Sequence, residues 1–161
     1  MRDISLILCY NVVMVVSFCG HSDFSFDRED LENKIFSILE SFGAESLTFY
    51  LGLCGKFDWF AHGCCKKWQK THPNCRLVFV SPYRDNKYLK EQADYFPVDE
   101  VVLFEGIEKT PPKFAILKRN EWVVNQSNFV IAWVKFPWGG AAKTLEYAKR
   151  KKKKFVNLGE N

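Results

Sequence analysis

Asn128-Phe-Val-Ile-Ala-Trp-Val134, followed by Pro137-Trp-Gly-Gly-Ala-Ala-Lys-Thr-Leu-Glu-Tyr-Ala148, decides how the rest of the chain is read. The first segment is short, β-branched and aromatic, the composition of a buried strand. The second opens on paired glycines and runs on as a helix. Glycines at such a junction let the backbone approach a ligand closely, and the first amides of the new helix lack intrahelical partners, so they form an anion site. A second reading stays open, in which Gly139 and Gly140 only permit a tight strand-to-helix turn. Glu146 follows Gly140 by six residues, which reads as a carboxylate about two turns into the helix and near the same mouth.

The flanking sequence extends this strand-then-helix alternation in both directions. Residues 12–18 read as a first strand, and Asp27 caps a helix from Arg28 to Phe42 that Gly43 ends. Leu47–Leu51 is the second strand, 57–71 the second helix and Arg76–Ser81 the third strand. A polar third helix spans 85–95, a fourth strand 99–104 and a loop 105–112 around Thr110-Pro111-Pro112. The fourth helix covers 113–125, the fifth strand 128–134, the fifth helix 140–152 and the last strand 155–158. Six strands alternating with five helices predict an α/β, Rossmann-like three-layer sandwich with a largely parallel sheet covered on both faces. A chain of 161 residues fits one domain over 1–161, and no linker or internal repeat divides it. Residues 1–10 are an extension without an assigned conformation.

Composition narrows the function classes. With 47% hydrophobic and 16% aromatic residues the chain can fill a core. The net charge is only +4, and much of the excess lies in Lys149-Arg150-Lys151-Lys152-Lys153-Lys154, which speaks against a general nucleic-acid surface. A basic run at a helix end complements the dipole and reads as solvated, although a phosphate patch or a targeting signal stays open. Six cysteines raise the question of zinc. Phe57, Phe60, Ala61, Cys64, Cys65 and Trp68 fall on one helical face, so both of these cysteines read as core residues, and no C-x-x-C spacing occurs. No metal or cofactor is called for. A reducing cytoplasm fits the cysteine usage. The apolar stretch Ile4–Cys19 is interrupted by Asn11 and is shorter than the ~20 residues of a membrane span, so its later part, within 12–18, reads as the first strand and the stretch is not an anchor.

Ligands of open α/β sheets bind beyond the carboxyl ends of the strands, and the candidate residues map there. Gly20 and His21 follow the first strand, 54–58 the second, 81–84 the third and the glycine pair the fifth. His21 is either a phosphate or sugar partner or a turn residue. Asp58 either caps its helix or holds a ribose hydroxyl, and Lys56 is a phosphate partner or simply solvated. Asn120 sits on an inward helical face and must find partners, backbone or ligand. Arg119 next to it can grip a carboxylate or phosphate through a bidentate fork.

These residues also carry a resemblance. Pro137 to Glu146 is similar to the glycine-rich signature Pro-Gly-Gly-x-Gly-Thr-x-x-Glu of the SLOG superfamily, which takes in the Lonely Guy phosphoribohydrolases, the DprA family and the YpsA-like proteins. Phe18-Cys19-Gly20-His21, Gly55-Lys56-Phe57-Asp58 and Lys118-Arg119-Asn120-Glu121-Trp122 fit in the same order, and the YpsA-like branch is the most similar. Three departures stand out: Ser22 replaces a frequent arginine, Ala142 replaces the third glycine, and Thr144 comes one residue late.

The resemblance implies a Rossmann-like SLOG domain that binds a nucleotide or nucleotide-derived ligand. Phosphate would lie on Gly139, Gly140, Ala141 and the following amides, with Lys143 and Thr144 beside it. Gly20, His21, Gly55, Asp58 and Asn120 would complete the site. A binding or sensing domain is the first expectation. The alternative is a Lonely Guy-like hydrolase that cleaves the N-glycosidic bond of a nucleoside 5′-monophosphate, with Arg119 and Glu146 as catalytic residues. Lonely Guy relatives form dimers, so a homodimer is expected too.

Overall fold

The computed structural model describes residues 13–23, 25–44 and 46–160. The expected extension 1–10 and the first residue of the first expected strand lie outside them. Among the described residues six strands form one parallel sheet: β1 (Met14–Gly20), β2 (Leu47–Leu51), β3 (Arg76–Ser81), β4 (Glu100–Leu103), β5 (Phe129–Trp133) and β6 (Lys154–Asn157). The helices between them are α1 (Arg28–Ser41), α2 (Lys56–Thr71), α3 (Asn86–Tyr95), α4 (Ala115–Gln126) and α5 (Gly140–Arg150).

The strand order is β4-β3-β2-β1-β5-β6, and every neighbouring pair is parallel. The chain therefore winds outward from β1 to β4, then crosses back to lay β5 on the other side of β1. That reversal is where a crevice opens at the carboxyl ends of the strands. Strand register puts Gly20 level with Trp133, so the loops after β1 and β5 leave the sheet side by side.

Alternation along β1 shows why both faces need cover. Val16 and Phe18 point into a large core with Leu31, Ile35 and Leu39 of α1 and Phe57, Ala61, Cys64, Cys65 and Trp68 of α2. Cys19 points the opposite way and packs with Val124 of α4 and Ala142, Leu145 and Ala148 of α5. The helices thus divide between the two faces, as the alternating pattern predicts.

Element ends differ from the expected ones by a few residues, for local reasons. The chain around Thr110-Pro111-Pro112 forms short 3₁₀ turns, Ile107–Lys109 and Pro112–Phe114, so α4 starts at Ala115. Gly43, at φ +58°, follows α1 and donates its amide to Glu40, 3.1 Å away, closing the helix as the sequence indicates. Lys152 adopts φ +57°, and this left-handed residue stops α5 inside the basic run. Lys153 there donates to the carbonyl of Asn125 at 3.1 Å, and Lys149 lies 5.6 Å from the Phe155 ring.

Candidate functional site

A cleft of about 430 Å³ opens over the carboxyl ends of β1, β2 and β5. Its walls come from the loop after β1 (Gly20, His21, Ser22, Asp23), the β2–α2 turn (Gly52, Cys54, Asp58), α4 (Ile116, Arg119, Asn120, Val123) and the segment 136–144. The architecture accounts for several expected ligand residues in a different way. A Cβ on Gly20 would overlap the Phe57 ring, so this glycine lets α2 close onto β1. Gly55 has φ +109°, and a Cβ there would stand 2.5 Å from the Cα of Ser22. Its neighbour Lys56 donates its amide to Ser22 O at 3.0 Å and its ammonium to Asp23 at 2.9 Å. Gly20 lines the cleft, whereas Gly55, an expected ligand residue, does not and serves close packing against Ser22 behind it.

His21 is a clamp. Its Nε2 accepts the amides of Lys135 at 2.9 Å and Phe136 at 3.1 Å, which requires the neutral ring with the proton on Nδ1. Burial pulls its pKa below the ordinary histidine value, in keeping with that form. The ring also lies 5.4 Å from Phe136 and meets Trp133 edge-on at 5.9 Å. Two neighbouring loops at the sheet's switch point are thereby held to one another.

Arg119 is the largest fully buried side chain, only 1% exposed. Its Nη1 donates to the carbonyls of Val80 at 2.7 Å and Gly52 at 3.1 Å, and its Nε donates to Asn120 Oδ1 at 2.8 Å. These bonds tie α4 to the ends of β2 and β3. Each bidentate edge of the guanidinium has therefore lost a donor, which corrects the expectation of a two-pronged grip on phosphate. Nη2 alone reaches no acceptor among the described residues, and it faces Asp58 and the cleft across Gly52, where a Cβ would meet Nη2 and Asp58 Oδ2 at 3.1 Å each.

Asp58, partly exposed at the cleft wall, accepts the Cys54 amide at 2.9 Å and so closes the β2–α2 turn rather than capping its own helix. Leu53 in that turn has φ +53°, an uncommon conformation for a branched residue. Crowding by protein atoms pushes Asp58 up to about 6, against the downward pull of the Cys54 amide and of Arg119. Burial lowers Arg119 from the usual guanidinium range, with Asp58 opposing. Burial also raises the cleft thiols, Cys54 upward and Cys19 to about 12, so neither is an activated nucleophile. Asn120 finds side-chain partners, Arg119 on one side and Thr144 Oγ1 at 3.2 Å on the other. Thr144 in turn donates to Gly140 O at 2.9 Å.

The start of α5 is open. Gly139, at φ +91°, precedes the helix with no side-chain cap, and a Cβ on Gly139 or Gly140 would meet nothing within 4 Å. Gly139, Gly140, Ala141 and Thr144 line the cleft, and the first amides of the helix have no intrahelical acceptor. Lys143 and Glu146 do not. Both border a second depression with Leu117, Glu121 and Tyr147, and Glu146 lies 3.3 Å from Lys149 with 67% of its side chain exposed. The reason is angular: at about 100° per residue, Glu146 sits roughly 240° round from Gly140, whereas Thr144 sits about 40° round and enters the cleft. The structure thus brings Gly20, His21, Asp58, Arg119, Asn120, Gly139, Gly140, Ala141 and Thr144 to one cleft, and leaves Glu146 and Lys143 outside it.

Sequence reasoning missed two residues here, Phe136 and Trp138. Their rings stack at 4.9 Å on the cleft lip, and Trp138 is 66% exposed. Large aromatics flanking Pro137 directly before a glycine pair were the available signal.

A solved structure shares the architecture. DNA processing protein A (DprA) from Streptococcus pneumoniae superposes with a TM-score of 0.63 and 21% identity over 89% of this chain and 49% of that one. The fold is DprA's. The chain therefore spans about half the length of that protein, and the match meets the expectation of a Rossmann-like α/β fold. A LuxR-family response regulator from Staphylococcus aureus matches with a TM-score of 0.29 and 13% identity over 68% of this chain and 98% of that one, too distant to carry an argument. No family model and no curated protein matches the sequence.

Proposed function

We propose that this chain is a binding or sensing domain for a nucleotide or nucleotide-derived ligand, of the YpsA-like kind within the SLOG superfamily and working in the cytoplasm. One observation carries the reading: the uncapped, glycine-led start of α5 opens onto the same cleft as the buried Arg119, whose Nη2 has no acceptor among the described residues. Orphan amides and a fixed positive charge converging on one hollow make an anion site, and a cleft of about 430 Å³ falls within the range of small-ligand pockets. Phosphate belongs on the amides of Gly140 and Ala141, with the single Nη2 donor as counter-charge. Asp58 stands across Gly52 from that donor and suits a sugar hydroxyl, as donor or acceptor according to its protonation.

Hydrolysis of an N-glycosidic bond has weaker support. Glu146, the carboxylate expected to do that chemistry, lies on the outer side of α5 beside Lys149. DprA is by name a DNA processing protein. In this chain the anion-binding features sit within a small cleft, which favours a single nucleotide over a duplex. The test is to purify the protein, denature it and identify released small molecules by mass spectrometry. A nucleotide in the supernatant supports the reading. Release of nothing, with no thermal shift from any of a panel of nucleotides at millimolar concentration, refutes it.

A further inference from the structure

The cleft lip carries a feature that phosphate binding does not use. Phe136 and Trp138 stack at 4.9 Å with an 18° tilt, and they remain 40% and 66% exposed. The pair is held in place from behind. His21 accepts two successive backbone amides at the root of the loop and packs its ring on Phe136. A platform fixed in this way loses little further freedom when something settles on it.

We infer that Trp138, backed by Phe136, is the stacking platform for the nucleobase of the bound ligand, which is therefore a 5′-nucleotide with its base intact; this rests on the nucleotide reading above. Continuity with the anion site argues for that occupant. Trp138 directly precedes Gly139, and its indole lines the same cleft as the first amides of α5 and as Arg119, whose Nη2 is unengaged among the described residues although the side chain is 1% exposed.

Base identity should matter little. Stacking uses the π-face that every base has. Asn120, the amide best placed to read a base edge, has its oxygen engaged by Arg119 and its nitrogen by Thr144. The platform therefore selects a nucleotide over a bare sugar phosphate and leaves the four bases nearly equal.

Titration calorimetry on the full chain with AMP, GMP, CMP, UMP and ribose 5-phosphate tests this. Ribose 5-phosphate is expected to bind about tenfold or more weakly than the nucleotides, the lower part of the range for one stacked base. Trp138→Ala should bring the nucleotides down to the ribose 5-phosphate level and leave ribose 5-phosphate unchanged, whereas Trp138→Phe should keep most of the difference. Since the indole is largely exposed, both variants should melt like the parent. AMP and ribose 5-phosphate binding equally, or nucleotide affinity indifferent to Trp138→Ala, overturns the platform while the nucleotide reading stands. A change of oligomeric state on Trp138→Ala at unaltered affinities makes the pair a subunit contact and also overturns it. If no compound binds the parent, both readings fall together.

Discussion

Arg119→Ala should unfold the protein far more readily than the loss of a ligand contact would suggest. The guanidinium makes three hydrogen bonds, to Val80 O, Gly52 O and Asn120 Oδ1, and all three acceptors lose their donor at once. An unsatisfied buried polar group costs about 1–3 kcal/mol, and breaking a buried charged arrangement about 3–5 kcal/mol. We expect a loss of about 4 kcal/mol, which for a chain of this length lowers Tm by roughly 10 °C. Arg119→Lys should recover little of it, because one ammonium cannot span acceptors on three elements.

Asp58 adds a pH signature to this loss. Its folded pKa, about 6, lies above the ordinary 3.8. Its protonated form therefore contributes stability that is fully present below pH 3.8 and lost as pH rises through 6. Arg119 lightens that loss by pulling Asp58 down, so the Arg119→Ala defect should be greatest above pH 6 and shrink near pH 5, where Asp58 is neutral in both proteins. Urea unfolding of parent and variants at pH 5 and pH 7.5 measures both effects. A variant within about 1 kcal/mol of the parent at pH 7.5 would refute the role of Arg119 as a tie between β2, β3 and α4, and would return it to the ligand.

Other substitutions probe the same cleft. Gly20→Ala should cost about 3 kcal/mol, the upper part of the usual range for overpacking, because the new methyl meets both the ring and the Cβ of Phe57 and a ring rotation cannot relieve that; a melt near the parent's would show that α2 shifts freely. His21 is neutral in the fold and its pKa is lowered, so its support of the 135–136 amides should be complete above pH 6.5 and fade as pH falls through the lowered value; the protection of the Lys135 and Phe136 amides against hydrogen exchange, taken relative to the intrinsic rate at each pH, should drop there, and His21→Ala should remove it at every pH. Protection of these two amides that is the same in His21→Ala as in the parent would dismiss the clamp. Glu146→Gln should leave nucleotide affinity unchanged within about 0.5 kcal/mol, as for surface substitutions generally, and a tenfold loss would mean that the carboxylate reaches the ligand after all.

Much of the architecture is legible because it rests on short-range rules. Runs such as Leu77–Val80 and Val130–Ala132 are apolar on consecutive residues because both faces of a parallel strand are covered, and this shows without any knowledge of the partners. Gly43, Asp27 and the paired glycines before α5 act on atoms within a few residues, so their effects can also be read locally. From the strand–helix alternation and the position of loops after strands, the α/β class and the edge of the sheet that carries the cleft follow.

What each candidate side chain touches was decided by the tertiary structure. The carbonyls that capture Arg119 come from residues 67 and 39 positions away, and only the pairing of β2 with β3 beneath α4 brings them together. Gly20 is required by Phe57, and His21 is spoken for by amides 114 and 115 residues further on. Even within one helix, counting residues placed Glu146 at the right height and the wrong angle, because α5 shows its Gly140–Thr144 side to the cleft. Local sequence sets which element forms and where it ends, since those forces act over a turn or two; direction and contact depend on how elements pack, and packing is a property of the whole sheet.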